Sequence, residues 1–140
     1  MRKLSETKVK FKFSKASKNR MRGVNDLLVS VLNRAIEISK VDFGIPSTGG
    51  VRTESEQHKL FCDGKSKADG RYKKSKHQLG EAIDVFAYVG GKATWDLLYM
   101  AQVACAILQA ASELGVSVQW GGHWSSFIDT PHFEIKKKKE

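Results

Sequence analysis

The sequence predicts an α+β fold, one small domain with a largely antiparallel sheet flanked by about three helices. Two observations carry this. Apolar residues recur at three- and four-residue steps in some stretches and alternate in short runs in others, and the two kinds of stretch are partly segregated along the chain. A length of 140 residues with 41% hydrophobic content suits a single compact domain over residues 1–140 and leaves no room for a second binding domain.

In the first helical pattern, Val24, Leu27, Leu28, Val31, Leu32, Ala35 and Ile36 share one face, with Asn25 as cap and Gly44 beyond the end. Thr53-Glu54-Ser55-Glu56 has the form of a capping box and predicts a second helix, carrying Leu60 and Phe61 and stopped by Gly64. Thr94 is positioned to cap a long third helix from Trp95 to Leu114. Its predicted buried stripe is Leu97, Leu98, Ala101, Ala104, Cys105, Leu108, Ala111 and Leu114, with Gly115 as the stop.

Between Phe43 and Val51, Pro46, Gly49 and Gly50 predict a turn leading into a short strand that ends at Arg52. Alternation predicts a continuous strand from Ala82 to Tyr88, turned at Gly90-Gly91, and another through Val116, Val118 and Trp120, turned at Gly121-Gly122. Pro131 argues against a helix in Ile128–Ile135, where Phe133 and Ile135 alternate with His132 and Glu134. Residues 1–22 read as a basic arm, with a short strand over Lys8 to Phe13 and a loop over Ser14 to Arg22. Asp63 to Lys76 reads as a mobile lysine-rich loop, and residues 136–140 as a charged tail.

The net charge of +9 and pI near 9.6 imply attraction to polyanions: nucleic acid, anionic lipid or bacterial envelope polymers. Cys62 and Cys105 are ordinary thiols, which excludes a disulfide framework and makes a reducing compartment adequate. The basic Met1-Arg2-Lys3 is followed by no uninterrupted apolar segment, and no run reads as long enough to span a bilayer, so accumulation in the cytoplasm is expected.

The chemistry concentrates in Ser75 to Val85, where His77 and Asp84 stand seven positions apart around Gly80. On a continuous helix the two side chains would lie roughly 10 Å apart, and on a continuous strand they would face opposite ways. Only a fold-back at Gly80 brings both within reach of one metal ion, whose bonds to nitrogen and oxygen are about 2 Å long. His132 supplies a third donor from the C-terminal strand. Two histidines and one carboxylate leave a coordination position open, the catalytic rather than the structural pattern for zinc.

Ser75-x-His77-x-x-Gly80-x-Ala82-x-Asp84, followed by Asp129-x-Pro131-His132-Phe133, resembles the zinc-dependent D-alanyl-D-alanine carboxypeptidases and dipeptidases. The likeness is greatest to their phage endolysin branch of L-alanyl-D-glutamate endopeptidases. Val51-Arg52-Thr53 with Glu56-Gln57, and Trp120-Gly121-Gly122-x-Trp124, extend it over most of the chain from Phe43 to Ile135.

The resemblance implies the hedgehog/D-Ala-D-Ala peptidase type of fold and one catalytic Zn2+ on His77, Asp84 and His132. It makes Asp129 the general base, and makes Arg52, just before a helix N-terminus, the group that holds a substrate carboxylate or developing oxyanion. Ser75 and Gln57 become substrate-positioning groups, and Trp120 or Trp124 a pocket wall. His123 stands where the resembled pattern has aspartate and is left out of the site. Glu134 is either an orienting partner for His132 or an exposed strand carboxylate. The expected substrate is bacterial peptidoglycan, cut at L-alanyl-D-glutamate by a monomeric lysin made in the host cytoplasm and released through a separate membrane lesion, with electrostatic attraction to the anionic envelope. D-alanyl-D-alanine carboxypeptidase is the alternative.

Two remoter readings are a non-haem iron oxygenase, which shares the ligand set, and a basic nucleic-acid-binding module. The first lacks a jelly-roll run of strands and a short His-x-Asp spacing. The second lacks a groove-reading motif or aromatic platform, so no nucleic-acid partner is expected.

Overall fold

The computed structural model describes residues 10–126 and 128–136. The arm over residues 1–9 and the tail over 137–140 lie outside these. Residues 10–22, read as strand and loop, instead form an ordered start to the fold. Ser14 accepts a hydrogen bond from the Ser17 amide and caps helix α1 (Lys15–Arg20). Phe13 and Met21 are buried in the core, and Ser17 Oγ accepts the Ile45 amide. The helical period was masked here because only three residues of a short, basic segment face inward.

Helix α2 (Asp26–Ile38) starts where Asn25 accepts the Leu27 amide, and it buries Leu28, Val31, Leu32, Ala35 and Ile36. Leu27, assigned to that face, is 58% exposed. After strand β1 (Asp42–Gly44) the chain makes an irregular passage to Arg52 instead of the expected strand. The Thr53 capping box is formed and opens helix α3 (Glu54–Cys62).

The expected continuous strand from Ala82 to Tyr88 is divided into β2 (Ala82–Asp84) and β3 (Phe86–Val89). Between them the Val85 amide donates to the Pro131 carbonyl. Strand β4 (Lys92–Thr94) follows, then helix α4 (Leu97–Leu114), capped by Asp96 rather than Thr94, strand β5 (Val118–Trp120), a 3-10 turn (Gly121–His123) and strand β6 (His132–Ile135). The strands make two antiparallel three-stranded sheets, β1-β3-β4 and β2-β6-β5, in place of one. Ile83, Val85 and Ala87 are all fully buried, so the alternation is real while hydrogen bonding passes from one sheet to the other at Val85. The architecture is α+β, with four α-helices among the described residues.

Helix α4 packs on α2 through Met100, Val103, Ala104, Ala106, Ile107, Ala110 and Ala111. Of the predicted stripe only Ala104 and Ala111 are buried; Leu97 and Leu98 are 60% and 64% exposed, and Cys105 is exposed. Apolar residues surround most of this helix, so its period fits two faces, and the alanines select the one that can approach α2 closely. Its 18 residues, at mean hydropathy 1.4, match a membrane span in length and composition, contrary to the reading that no run does; its inner face is occupied by α2. Ile107→Ala is therefore expected to cost about 2–5 kcal/mol in urea unfolding, and Leu98→Ala within roughly 0.5 kcal/mol of nothing.

Candidate metal centre and active site

The site lies where β2 and β6 pair. Asp84 stands directly opposite His132 in the register, which puts the two side chains side by side on one face. His77 reaches the same point because the chain turns back at Gly80, whose φ of +70° suits glycine. The Gly80 amide donates to the His77 carbonyl, and the Gly80 carbonyl accepts the Asn25 amide, which anchors the turn to the start of α2.

Three donor atoms converge. His77 Nε2 lies 3.2 Å from Asp84 Oδ1 and 3.3 Å from His132 Nδ1, and His132 Nδ1 lies 3.2 Å from Asp84 Oδ1. Two bonds of zinc length at a tetrahedral angle separate their donor atoms by about 3.3 Å, so the triangle has the size of a metal's ligand face. Among the described residues this is the group of histidine and carboxylate atoms able to hold an ion.

The remaining ring nitrogens are committed elsewhere. His77 Nδ1 is 3.1 Å from the Gly50 carbonyl and His132 Nε2 is 2.8 Å from Glu134 Oε1. Each acceptor suits a proton on the outer nitrogen, so that the inner one can offer its lone pair to an ion in the triangle once its own proton is lost. Lys76 Nζ lies 3.5 Å from the other Glu134 oxygen, so Glu134 is an orienting partner and not an exposed strand carboxylate.

Gly49 and Gly50 do more than turn the chain. The Gly49 carbonyl accepts the Asp84 amide at 2.8 Å, while Gly50 holds His77. A Cβ at Gly50 would overlap the Arg20 carbonyl, and one at Gly49 would sit 2.8 Å from the Asp84 carbonyl oxygen. Only glycine lets this segment lie between the end of α1 and β2. Residue type alone carried the signal, but not what the carbonyls would bind.

Arg52 lies against the donor triangle. Its Nη2 is 2.9 Å from Asp84 Oδ2, Nε donates to the Thr48 carbonyl at 2.7 Å, and Nη1 donates to Gln57 Oε1 at 3.0 Å. Gln57, read as a substrate-positioning group, is fully buried; its amide nitrogen donates to Ser66 Oγ and the Ala68 carbonyl, fastening the lysine-rich loop to Arg52. Ser75 lines the cavity and accepts the His77 amide on its hydroxyl. Trp120, read as a wall, is buried, donates to the Thr130 carbonyl and stacks on Phe133, while Trp124 lines the cavity 5.2 Å from His132. His123 packs on Trp120, and His58 Nδ1 meets the Asp69 carbonyl outside the site.

Asp129 shares the cavity with the three donors, its amide held by the Gly121 carbonyl and its own carbonyl accepting the His132 amide. Burial, then the neighbouring Asp84 charge, raises its pKa; His132, His77 and Arg52 oppose the rise. Burial alone would raise Asp84 as well, but hydrogen bonds from His132 and His77 and their charges hold its carboxyl well below the usual range. Burial would lower His132, yet its bonds to Asp84 and Glu134 push it up to about 9. With its pKa raised in this way, His132 of the metal-free protein favours the imidazolium form, with a proton on both ring nitrogens, at neutral pH.

A family model described as phage L-alanyl-D-glutamate peptidase matches residues 9–139. The chain belongs to the phage L-alanyl-D-glutamate peptidase family. It is 38% identical over 128 residues to the L-alanyl-D-glutamate peptidase of Escherichia phage T5, covering 91% of this chain and 90% of that one. It is 31% identical over 99 residues to the peptidoglycan L-alanyl-D-glutamate endopeptidase CwlK of Bacillus subtilis, covering 63% of this chain and 58% of CwlK. The crystal structure of the Serratia marcescens L-Ala D-Glu endopeptidase ChiX superposes with a TM-score of 0.80 at 35% identity over 91% of each chain.

His132 gives this family member a pH dependence that can be checked. Its folded pKa lies above the ordinary 6.5, so the stabilisation is complete below that value and is lost as pH rises through about 9. Chelator-treated protein should lose thermal stability over that window. Metal binding requires the neutral imidazole, so added zinc should stabilise more as pH rises.

Proposed function

We propose that the chain is a zinc-dependent endopeptidase that hydrolyses the L-alanyl-D-glutamate bond of peptidoglycan stem peptides and so lyses the cell wall. The observation that carries this is the donor triangle of His77, Asp84 and His132 beside Asp129, within a fold shared with named L-alanyl-D-glutamate peptidases. Zinc held by these three residues would polarise the scissile carbonyl and acidify a water molecule. Asp129 takes the proton from the attacking water on its carboxylate and returns it to the leaving amine. Trp124 and Ser75 line the cavity and are the substrate-facing groups, while Gln57 and Trp120 support the site from behind.

Arg52, expected to grip substrate or oxyanion, acts in this proposal through Asp84. It occupies Oδ2 and leaves Oδ1 alone facing the two histidines. Lysine keeps the charge but cannot bridge Thr48, Gln57 and Asp84 together. Arg52→Lys is expected to weaken zinc retention roughly tenfold or more, as loss of a ligand's partner does, while KM for a short peptide stays near the wild-type value. A KM increase with full zinc retention would return Arg52 to substrate binding.

The protein is proposed to act as a monomer, made in the host cytoplasm and reaching the wall through a separate membrane lesion. Its net charge of +9 would favour the anionic envelope, with no nucleic-acid partner. Mass spectrometry of material released from purified peptidoglycan tests the activity. New amino-terminal glutamate is expected, and release of free D-alanine alone would make the protein a carboxypeptidase.

A further inference from the structure

We infer that the lysine-rich wall of the cavity is a carboxylate-recognition subsite that makes the enzyme select stem peptides with free, unamidated carboxylates. The inference rests on the peptidase reading and adds the chemical state of the substrate. The segment from Asp63 to Lys76 holds six lysines and arginines against two aspartates. Neither aspartate lies among the residues that line the cavity, although the Asp63 charge is felt by Lys65. Asp63 pairs with Lys59, and Asp69 Oδ1 accepts the Arg71 and Lys73 amides.

The segment has no helix or strand, yet it is built rather than loose. Gln57 holds Ser66 and Ala68 from a fully buried position, Gln78 Nε2 donates to the Gly70 carbonyl, and Gln78 Oε1 accepts the Ser75 amide. Lys65, Lys73 and Lys74 are displayed from this frame into the same cavity of about 490 Å³ that contains Asp84, Asp129 and His132. They are exposed, and no described carboxylate lies in ion-pair contact with them.

A wall of cations beside a site that already holds three carboxylates (Asp84, Asp129 and Glu134) presents two faces of opposite charge to one substrate. Zinc at the acidic face leaves the lysines as the surplus. A bond between alanine and glutamate leaves the glutamate with one free carboxylate whichever of its two carboxyls continues the peptide. That charge lies within a few bonds of the amide that must reach the donor triangle. Converting it to an amide removes the attraction and leaves the shape nearly unchanged.

The test uses peptidoglycan sacculi from one preparation. Half have their carboxylates converted to amides with ammonium chloride and a water-soluble carbodiimide. New amino termini are counted by mass spectrometry for the wild type, for K65Q/K73Q/K74Q, and for K18Q/K40Q/K92Q, which removes the same charge away from the cavity. The wild type and the control variant should cut the amidated half roughly tenfold more slowly, the size of one partly screened ion contact. The cavity variant should cut both halves at one reduced rate, with zinc content and thermal unfolding unchanged. Equal rates of the wild type on both halves would overturn the inference while leaving the peptidase reading intact. So would a cavity variant that keeps the wild-type preference or loses its zinc, or a control variant that loses the preference as fully. Failure of the wild type to cut either half would overturn the peptidase reading and the inference with it.

Discussion

His77→Ala is expected to remove both bound zinc and wall cleavage, with activity falling to the level of a chelator-treated sample. The argument is geometric. His77 Nε2 is one corner of a triangle whose sides are 3.2, 3.2 and 3.3 Å, and besides His132, itself a corner, the remaining histidines His58 and His123 are packed elsewhere. Two remaining donors do not hold zinc as three do. The fold should survive, because the His77 backbone keeps its own bonds to Gly80 and Arg52. Alanine also leaves Gly50 without its imidazole partner, a loss of about 1 kcal/mol that thermal unfolding can register. Atomic absorption for zinc and turbidity of a wall suspension, on the same sample, check it. A variant that clears the wall while holding no zinc would place the chemistry elsewhere.

The convergence of the three donors was legible because their spacing admits few geometries. Seven positions around a glycine leave a fold-back as the way to bring His77 to Asp84, and the structure has that turn at Gly80. The caps of α2 and α3 were legible for a similar reason, since the Asn25 and Thr53 signals depend on bonds to amides two or three residues away, whereas α4 is capped by Asp96 and not by Thr94. Properties that depend on distant partners were not. Which face of α4 turns inward is decided by α2, and a helix apolar on two sides gives no local sign of the choice. The division of the Ala82 to Tyr88 run at Val85 follows from the Pro131 carbonyl, which lies far along the chain. Arg52 was visible as a cation before a helix N-terminus, but not that Asp84, Gln57 and Thr48 would share its guanidinium. The same holds for Trp120 and Trp124, where two tryptophans in one short motif differ in which side of the sheet each meets.

Asp129→Asn is expected to keep about one zinc per chain and to lose roughly two or more orders of magnitude in turnover. The donor triangle is complete without Asp129, whose carboxylate is not a member of it. Pro131 keeps the preceding residue extended, and the turn from Asp129 to His132 is closed by backbone, with the His132 amide on the Asp129 carbonyl. The side chain is thus free to reach a water molecule beside the triangle. An amide has nearly the same shape but no basic oxygen to accept a proton. In the metal-free protein burial and Asp84 raise the Asp129 pKa, and a divalent cation on the triangle acts in the opposite sense. A metal on the triangle would therefore favour the carboxylate form that the proposed base needs. Zinc content, thermal unfolding and wall cleavage measured together separate the outcomes. Near-wild-type cleavage with zinc bound would remove Asp129 from the mechanism, and loss of zinc would make it a ligand.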